Sequence, residues 1–441
     1  MRKIILYAIP IILTGLLQLL FNAADLIVVG RFAGSLCVGA VGATGSIINL
    51  IVNLFIGLSV GAGVLVAQGI GAGSYENVHK TVHTAIPAAV LGGAVLTVIG
   101  VSCARLCLEL MGTHSDVIDM SVTYMRIYFC GMIFSMVYNF GASILRAAGD
   151  NKSPLLFLSA SGVLNVILNL VFVVGLKIDV AGVALATIIS QAMSAVLIVF
   201  ALSKRDDACR LFFKEIRISK EHLVGMVKIG LPAGIQGSMF SISNVLIQSS
   251  INSFGSVAMS GNAAASNIEG FVYVSMNAFQ QTATNFAGQN YGAKLYKRID
   301  RIMLICLVSV AAVGLVLGNA CVLFSRQLLG IYITDSLEAI EIGIMRMSFI
   351  AALYFLDGVM EVMTGTLRGM GRSAMPMAVT ILGVCVFRVA WVATVFKIPQ
   401  YHSLKSLYIS YPISWVITFA VELVAYIIIM NKIKRQNTVR V

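Results

Sequence analysis

Charge is what this chain has least of. Asp, Glu, Lys and Arg make up 11% of its 441 residues, too few to clothe a water-soluble protein of that length. Its cysteines are few and unpatterned: Cys37, Cys103, Cys107, Cys130, Cys306, Cys321 and Cys385 lie in or beside apolar runs, Cys209 in a polar one, and no Cys-x-x-Cys pair occurs. Neither a disulfide framework nor a zinc site is indicated. No Gly-Lys dipeptide occurs, which excludes a Walker A loop, and GIGAGS (Gly69 to Ser74) follows a predicted helix rather than a strand, so no dinucleotide site is implied. His79 and His83 have metal-compatible spacing, but the sequence shows no third ligand and a surface helix is the expected reading. No metal, no cofactor and no enzyme activity are expected.

Apolar length is what the chain has instead. Hydrophobic residues make up 59% of it, mean hydropathy is +0.93, and about twelve runs reach the roughly 18 residues needed to cross a hydrocarbon core. Forty glycines suit close helix packing in lipid. The reading is a polytopic membrane protein. Its formal net charge of +12 does not point to nucleic acid, because the loops alternate. Arg2, Lys3, Lys80, Arg146, Lys152, the stretch Lys204 to Lys228, Lys294 to Arg301, Arg368, Arg372 and the tail from Lys432 fall on one side, and the opposite loops are nearly bare. That bias predicts both termini in the cytoplasm, and the inner membrane is the expected location. The first apolar segment is too long for a signal-peptide core and has a mid-chain counterpart near Gly230 to Ile251, so it is expected to stay.

The chain also repeats itself. LRAAGDNKSP (Leu145 to Pro154) recurs 222 residues later as LRGMGRSAMP (Leu367 to Pro376), and Pro10, Gly15, Asn22 and Phe32 match Pro232, Gly237, Asn244 and Phe254 at the same offset. Helices are predicted near 4–30, 39–70, 84–109, 118–145, 155–176 and 179–203, and again near 223–253, 257–288, 302–326, 340–367, 375–397 and 405–431. Six per half is an even number, so the repeat is parallel, about an axis along the membrane normal, with a site expected between the halves. The expectation is an all-α protein of twelve transmembrane helices in two six-helix lobes, 1–203 and 223–441, joined by a cytoplasmic linker at 204–222.

Polar residues inside these spans need a reason, since a charge at bilayer depth costs at least about 2.5–3.5 kcal/mol. In the first span Gln18, Asn22 and Asp25 share a face, as a cation or proton site or as a structural hydrogen-bond cluster. In the tenth, Asp357 and Glu361 stand one turn apart; two such carboxylates titrate as a pair and suit holding and releasing a proton, unless Glu361 is merely solvated in a vestibule. The repeat places Ser135 and Asn139 at the equivalent positions of the first lobe. The eighth span carries a stripe, Asn262, Ser266, Glu269, Tyr273, Met276, Gln280 and Thr284, that reads as a cavity lining, with interhelical amide bonding as the alternative. Asn165 and Asn169 in the fifth span and Gly237, Ser241, Asn244 and Gln248 in the seventh add polar surface. Glu422 is left open between structure and function. Arg388 is read as the one basic residue near mid-membrane.

FNAADLIVVGRFAG after an early Ile-Pro, AVGATGSIINLIVNLFIGLSVGAGVLVAQGIGAG, the LRAAGD and LRGMGR turns and LYISYPISW near the end together resemble the multidrug and toxic compound extrusion (MATE) transporters over nearly the whole chain. The resemblance implies two six-helix bundles around a central cavity and export of small lipophilic organic cations in exchange for H⁺ or Na⁺. It carries the coupling role to Asp25, with Na⁺ there as an option, and to Asp357, eleven residues before the Arg of LRG. Two departures leave the ion open: PAGIQGSMFSIS lacks the seventh-span glutamate of some members, and Asn169 stands where others have Asp. By position, Glu269 and Glu361 are the candidate substitutes. Asn22, Tyr138, Asn139, Asn165, Asn169, Met239, Asn244, Met276, Phe279 and Gln280 are the candidate cavity residues, offering amides, aromatic faces and soft thioethers to a cation. Membrane lipids are the expected surroundings and a monomer the expected state. A flippase for a lipid-linked headgroup is the alternative, with a channel or receptor a distant third.

Overall fold

The computed structural model describes residues 2–113, 115–334 and 336–438, and every regular element among them is helical. The order is α1 (Arg2–Phe32), α2 (Ser35–Gly71), α3 (Tyr75–Leu110), a pair α4 (Ser115–Cys130) and α5 (Met132–Ala147), α6 (Lys152–Asn169) extended by a π-helical turn (Leu170–Gly175), and α7 (Asp179–Ser203). Then come α8 (Lys220–Asn252), α9 (Ser256–Gly292), α10 (Tyr296–Leu323), the short α11 (Ser325–Tyr332), a pair α12 (Leu337–Phe349) and α13 (Tyr354–Gly369), α14 (Ala374–Thr380), a second π-helical turn (Ile381–Val386), α15 (Phe387–Ala393) and α16 (Leu404–Thr438). Nine helical stretches among the described residues are long and apolar enough to cross a membrane, and the two pairs qualify as bent spans. The twelfth span is α9, which its polar stripe keeps short of the apolarity the others reach. The fold is all-α and polytopic. Val98, Val316, Leu382 and Ile428 stand outward at 62–68% exposure, as side chains facing lipid do.

The repeat is visible in the backbone. The pair α4–α5 bends by 48° at Gly131, and α12–α13 bends by 47° at its break, one repeat later. Both conspicuous turns end their helices alike. Gly149 donates to Arg146 O and Asp150 to Leu145 O, both at 2.9 Å; Gly371 donates to Arg368 O at 2.9 Å and Arg372 to Leu367 O at 3.0 Å. Both glycines have positive φ, 91° and 77°, which glycine adopts without a Cβ clash.

Two compact units divide the chain: Leu13–Ser238, and Met1–Ile12 with Met239–Val441. The divisions fall inside α1 and α8. In the first unit the opening half of α8 lies on α2 with almost no side chain between them. A Cβ at Gly234 would stand 2.1 Å from Leu54 O, one at Gly61 2.2 Å from Met226 O, and Ser238 Oγ donates to Leu50 O at 3.0 Å. In the second unit the opening of α1 is seated by larger groups: Ile4 and Ala8 join Val272, Met276 and Phe279 in one hydrophobic cluster, and Asn285 Nδ2 donates to Tyr7 Oη at 2.9 Å.

The polar linker folds back on α3 rather than hanging free. Leu211 and Cys209 are buried, the Phe212 N–H donates to His83 Nε2 at 3.0 Å, and the Ser219 N–H donates to Thr84 Oγ1 at 3.1 Å. The start of α3 is at the surface as expected, with Tyr75, Glu76 and Lys80 exposed, but His83 on its inner face is 2% exposed because the linker covers it.

Candidate functional site

Each unit carries a polar cluster. In the first, α1 and α6 meet where Gly162 has no side chain. A Cβ there would stand 1.9 Å from the Phe21 ring, so the helices close to contact. One turn beyond Phe21, Asp25 then faces Asn165 and Asn169, which follow Gly162 at three and seven residues on the same face. Asn169 Nδ2 donates to Asp25 Oδ1 at 2.5 Å and to Asn165 Oδ1 at 3.3 Å. Asn169 ends α6, and the π-helical turn begins at the next residue, a deviation that often marks functional positions. Asp25 is half-buried; Gln18 and Asn22, on the same face, are exposed.

The second unit holds a larger set. The α9 stripe faces α12 and α13, which approach closely because α13 presents glycines. A Cβ at Gly365 would stand 2.5 Å from Gln280 O, and one at Gly369 2.3 Å from Thr284 O. Arg346 of α12 meets the upper stripe. Its Nη2 donates to Glu269 Oε2 at 2.7 Å, its Nε to both Glu269 oxygens at 3.2 Å, and its Nη1 to Asn262 Oδ1 at 2.7 Å. Asn262 Nδ2 in turn donates to Gln248 Oε1 at 2.7 Å. Glu269 is therefore a fully paired carboxylate. Lower on the stripe, Gln280 Nε2 donates to Glu361 Oε2. Asp357 is 5% exposed and its Oδ2 has no hydrogen-bond partner.

Beyond α13, Glu422 of α16 is fully buried, its Oε1 accepting from Thr364 Oγ1 at 2.8 Å and Thr380 Oγ1 at 3.3 Å. Arg388 lies just after the second π-helical turn, over the Tyr411 ring at 3.9 Å, with Nε donating to Ser414 Oγ at 3.1 Å. It is not the sole basic group at depth: Arg346 and Arg368 are buried too. Arg346 stands inside the predicted span 340–367, and the signal that would have found it is a lone arginine in an apolar run.

The other candidates are scattered. Asn22 and Asn244 are exposed, and Asn139 and Met239 are half-buried. Asn139 Nδ2 donates to Ser135 O at 2.8 Å. Tyr138 is buried with its hydroxyl on Pro154 O at 3.1 Å, while Met276 and Phe279 sit in the hydrophobic cluster around Val310. His79, His83 and Glu215 are the metal-compatible group among the described residues, with ligand atoms within 4.8 Å of one another. Glu215 is the third ligand the sequence did not reveal, 3.1 Å from His79 Nε2. Both ring nitrogens of His83 are already engaged, Nδ1 with His79 O at 2.8 Å and Nε2 with Phe212, so the group ties the linker to α3.

The MatE family model matches residues 10–171 and again residues 232–393, two stretches set apart by the distance at which the sequence repeats. The chain belongs to the MatE family. Among curated MatE relatives, the probable multidrug resistance protein YoeA of Bacillus subtilis is 27% identical over 95% of this chain and 91% of its own length. The multidrug export protein MepA of Staphylococcus saprophyticus is 20% identical over 88% and 85%. A crystal structure of MATE in the bent conformation superposes with a TM-score of 0.91 at 21% identity, covering 99% of this chain and 97% of that one. This MatE chain thus has the MATE fold over 99% of its length.

Proposed function

We propose that this protein is a secondary antiporter that exports small lipophilic organic cations in exchange for H⁺ or Na⁺ by alternating access, from the inner membrane with both termini in the cytoplasm. The lobes 1–203 and 223–441 are the moving parts in this reading. The observation that carries it is Asp25, the one acidic side chain in the first unit's amide cluster, at 2.5 Å from Asn169. A carboxylate held by the Asn169 amide, with no cation among the described residues bonded to it, favours whichever external cation reaches it. Asp357, with one carboxylate oxygen unpartnered, offers the same in the second unit. Competition between coupling ion and substrate for these acids yields exchange without direct contact between them. The names of the relatives, multidrug resistance and multidrug export proteins, support this substrate class. Glu269 contributes differently: bonded to Arg346, it shapes the unit rather than binding the ion.

A second reading, a flippase for an anionic lipid-linked headgroup, draws on Arg388, whose Nη2 is buried without a hydrogen-bond partner. One experiment separates them. The purified protein is placed in liposomes and a fluorescent organic cation is followed under a proton gradient alone, then a sodium gradient alone. Movement under one gradient establishes antiport and names the ion. If neither moves the dye, the antiporter reading fails and lipid-linked cargo is tested next.

A further inference from the structure

Seven side chains of the charged types are buried among the described residues, all in the second unit: Glu269, Arg346, Asp357, Glu361, Arg368, Arg388 and Glu422. Glu269 and Arg346 close on each other at 2.7 Å. Of the five that remain, three are carboxylates and two are guanidinium groups. Arg388 lies within electrostatic reach of Asp357, and Arg368 within reach of both Glu361 and Glu422. With every group ionised, the set is one positive charge short. An uncompensated buried charge is costly enough that the set will acquire that charge rather than do without it.

Two carboxylates of the set leave a buried oxygen unpartnered, Asp357 Oδ2 and Glu422 Oε2. Arg388 is within reach of Asp357 alone among them, whereas Glu422 shares Arg368 with Glu361, so the charge is missing at Glu422. Glu422 Oε1 accepts two hydroxyls, from Thr364 and Thr380, whereas Oε2 has no partner and is sealed from solvent. Thr418, one turn earlier on α16, also has an unpartnered hydroxyl oxygen. Two donors on one oxygen and none on the other leave the second oxygen free to carry a hydrogen. The charged groups facing Glu422 are Glu361 and Arg368, both on α13.

We propose that Glu422 is a proton-binding site of the transport cycle, holding the one proton that makes the buried set neutral. This rests on the antiport reading and adds a third exchanging acid to Asp25 and Asp357. When a substrate cation reaches Asp357 and Glu361, Arg368 is left to compensate Glu422. The Oε2–H bond then breaks, the electron pair stays on the carboxylate, and the proton leaves to water. One positive charge enters and one leaves, so the set stays neutral.

Infrared difference spectroscopy on the purified full-length protein tests this, with tetraphenylphosphonium as the cation and Glu422→Gln as the reference. The expected result is a protonated-carboxyl band in the wild type that vanishes on adding tetraphenylphosphonium or on raising pH, and that Glu422→Gln lacks throughout. A band that Glu422→Gln retains overturns the assignment, and so does one that neither pH nor the cation removes. Loss of the band on adding sodium at fixed pH would replace the proton by a metal ion and also overturn it. Should Glu422→Gln fail to fold, Thr364→Val serves: removing a donor to the carboxylate must carry the band to higher pH, and an unmoved band counts against the site. Failure of the antiport reading shows separately, as absence of gradient-driven tetraphenylphosphonium movement by wild-type liposomes, while the pH titration still decides Glu422.

Discussion

The two units share a repeat but not an interior. In Leu13–Ser238 no Asp, Glu, Lys or Arg among the described residues is fully buried, and Asp25 is only half so; the other unit buries seven such groups. The backbone features that repeat, the bend near 131 and 353 and the glycine turns at 149 and 371, are those that a helix pair needs to turn and reverse. The side chains aimed inward have diverged: Ser135 and Asn139 occupy the places of Asp357 and Glu361. One fold therefore supports a sparse site built on a single acid and a dense one in which acids and arginines set each other's charge. The contrast predicts that the sparse site fails by losing its ion and the dense one by losing its balance.

The largest expected effect is on the sparse side. Asp25→Asn keeps the shape and the approach to Asn169 but removes the only carboxylate there, so coupled export should be abolished while protein level is unchanged. Cation uptake into liposomes under an imposed gradient checks this, and export at the normal rate would refute the assignment. On the dense side, Arg346→Ala leaves Glu269 buried without its partner, which costs about 3–5 kcal/mol when a buried pair is broken. The expected outcome is a large fall in thermal midpoint in detergent. Replacing Glu269 and Arg346 together by apolar residues should recover most of the loss, because neither charge is then stranded; no recovery would mean that the pair is not the source.

The same contrast shows what the sequence disclosed. Spans, repeat and turns were legible because hydrophobic length and Gly-Pro punctuation are local properties of the chain. Asp25, Asn165 and Asn169 stood out because polar groups in apolar runs need a reason, and the fold brings Asp25 and Asn169 into contact. Glu269 was noticed but its pairing was not, since Arg346 lies 77 residues away and nothing local joins them. The α9 stripe was read as a cavity lining, yet much of it meets α12 and α13, because polarity marks a face without saying what stands opposite. Glu215 escaped for the same reason: it reaches His79 only through the folding back of the linker.

A moderate effect is expected where the units seat their borrowed helix segments. Gly234→Ala places a methyl group 2.1 Å from Leu54 O, a backbone atom that cannot rotate away, so overpacking of about 1–3 kcal/mol follows. Gly45→Ala, with nothing within 4 Å, should be close to neutral or slightly stabilising in a helix. Thermal midpoints of the two variants make the comparison. Equal behaviour would show that α2 and α8 can move apart freely, and would remove the distinction between a glycine-seated α8 and the side-chain-seated start of α1.

The smallest effect belongs to the linker, where charges are wet. Arg205 donates to Asp207 through Nε at 2.9 Å, and the Cys209 N–H donates to Asp207 Oδ1 at 3.0 Å. The hydrogen bond from Arg205 holds the Asp207 carboxyl below its usual range, while burial of Cys209 pushes its thiol up to about 12. A carboxyl whose folded value is depressed stabilises the fold above its unfolded value and loses that contribution as pH falls toward the depressed one. Since Asp207 is 45% exposed, Asp207→Asn should cost under about 1 kcal/mol at neutral pH. The difference from wild type should shrink as the medium is acidified below the ordinary carboxylate range. A cost that persists unchanged into acid would mean that Asp207 acts through its shape, as the acceptor for Cys209, and not through its charge. In the unit that buries seven charged groups, the corresponding loss of one charge is expected to be several times larger, because there the charge cannot be handed to water.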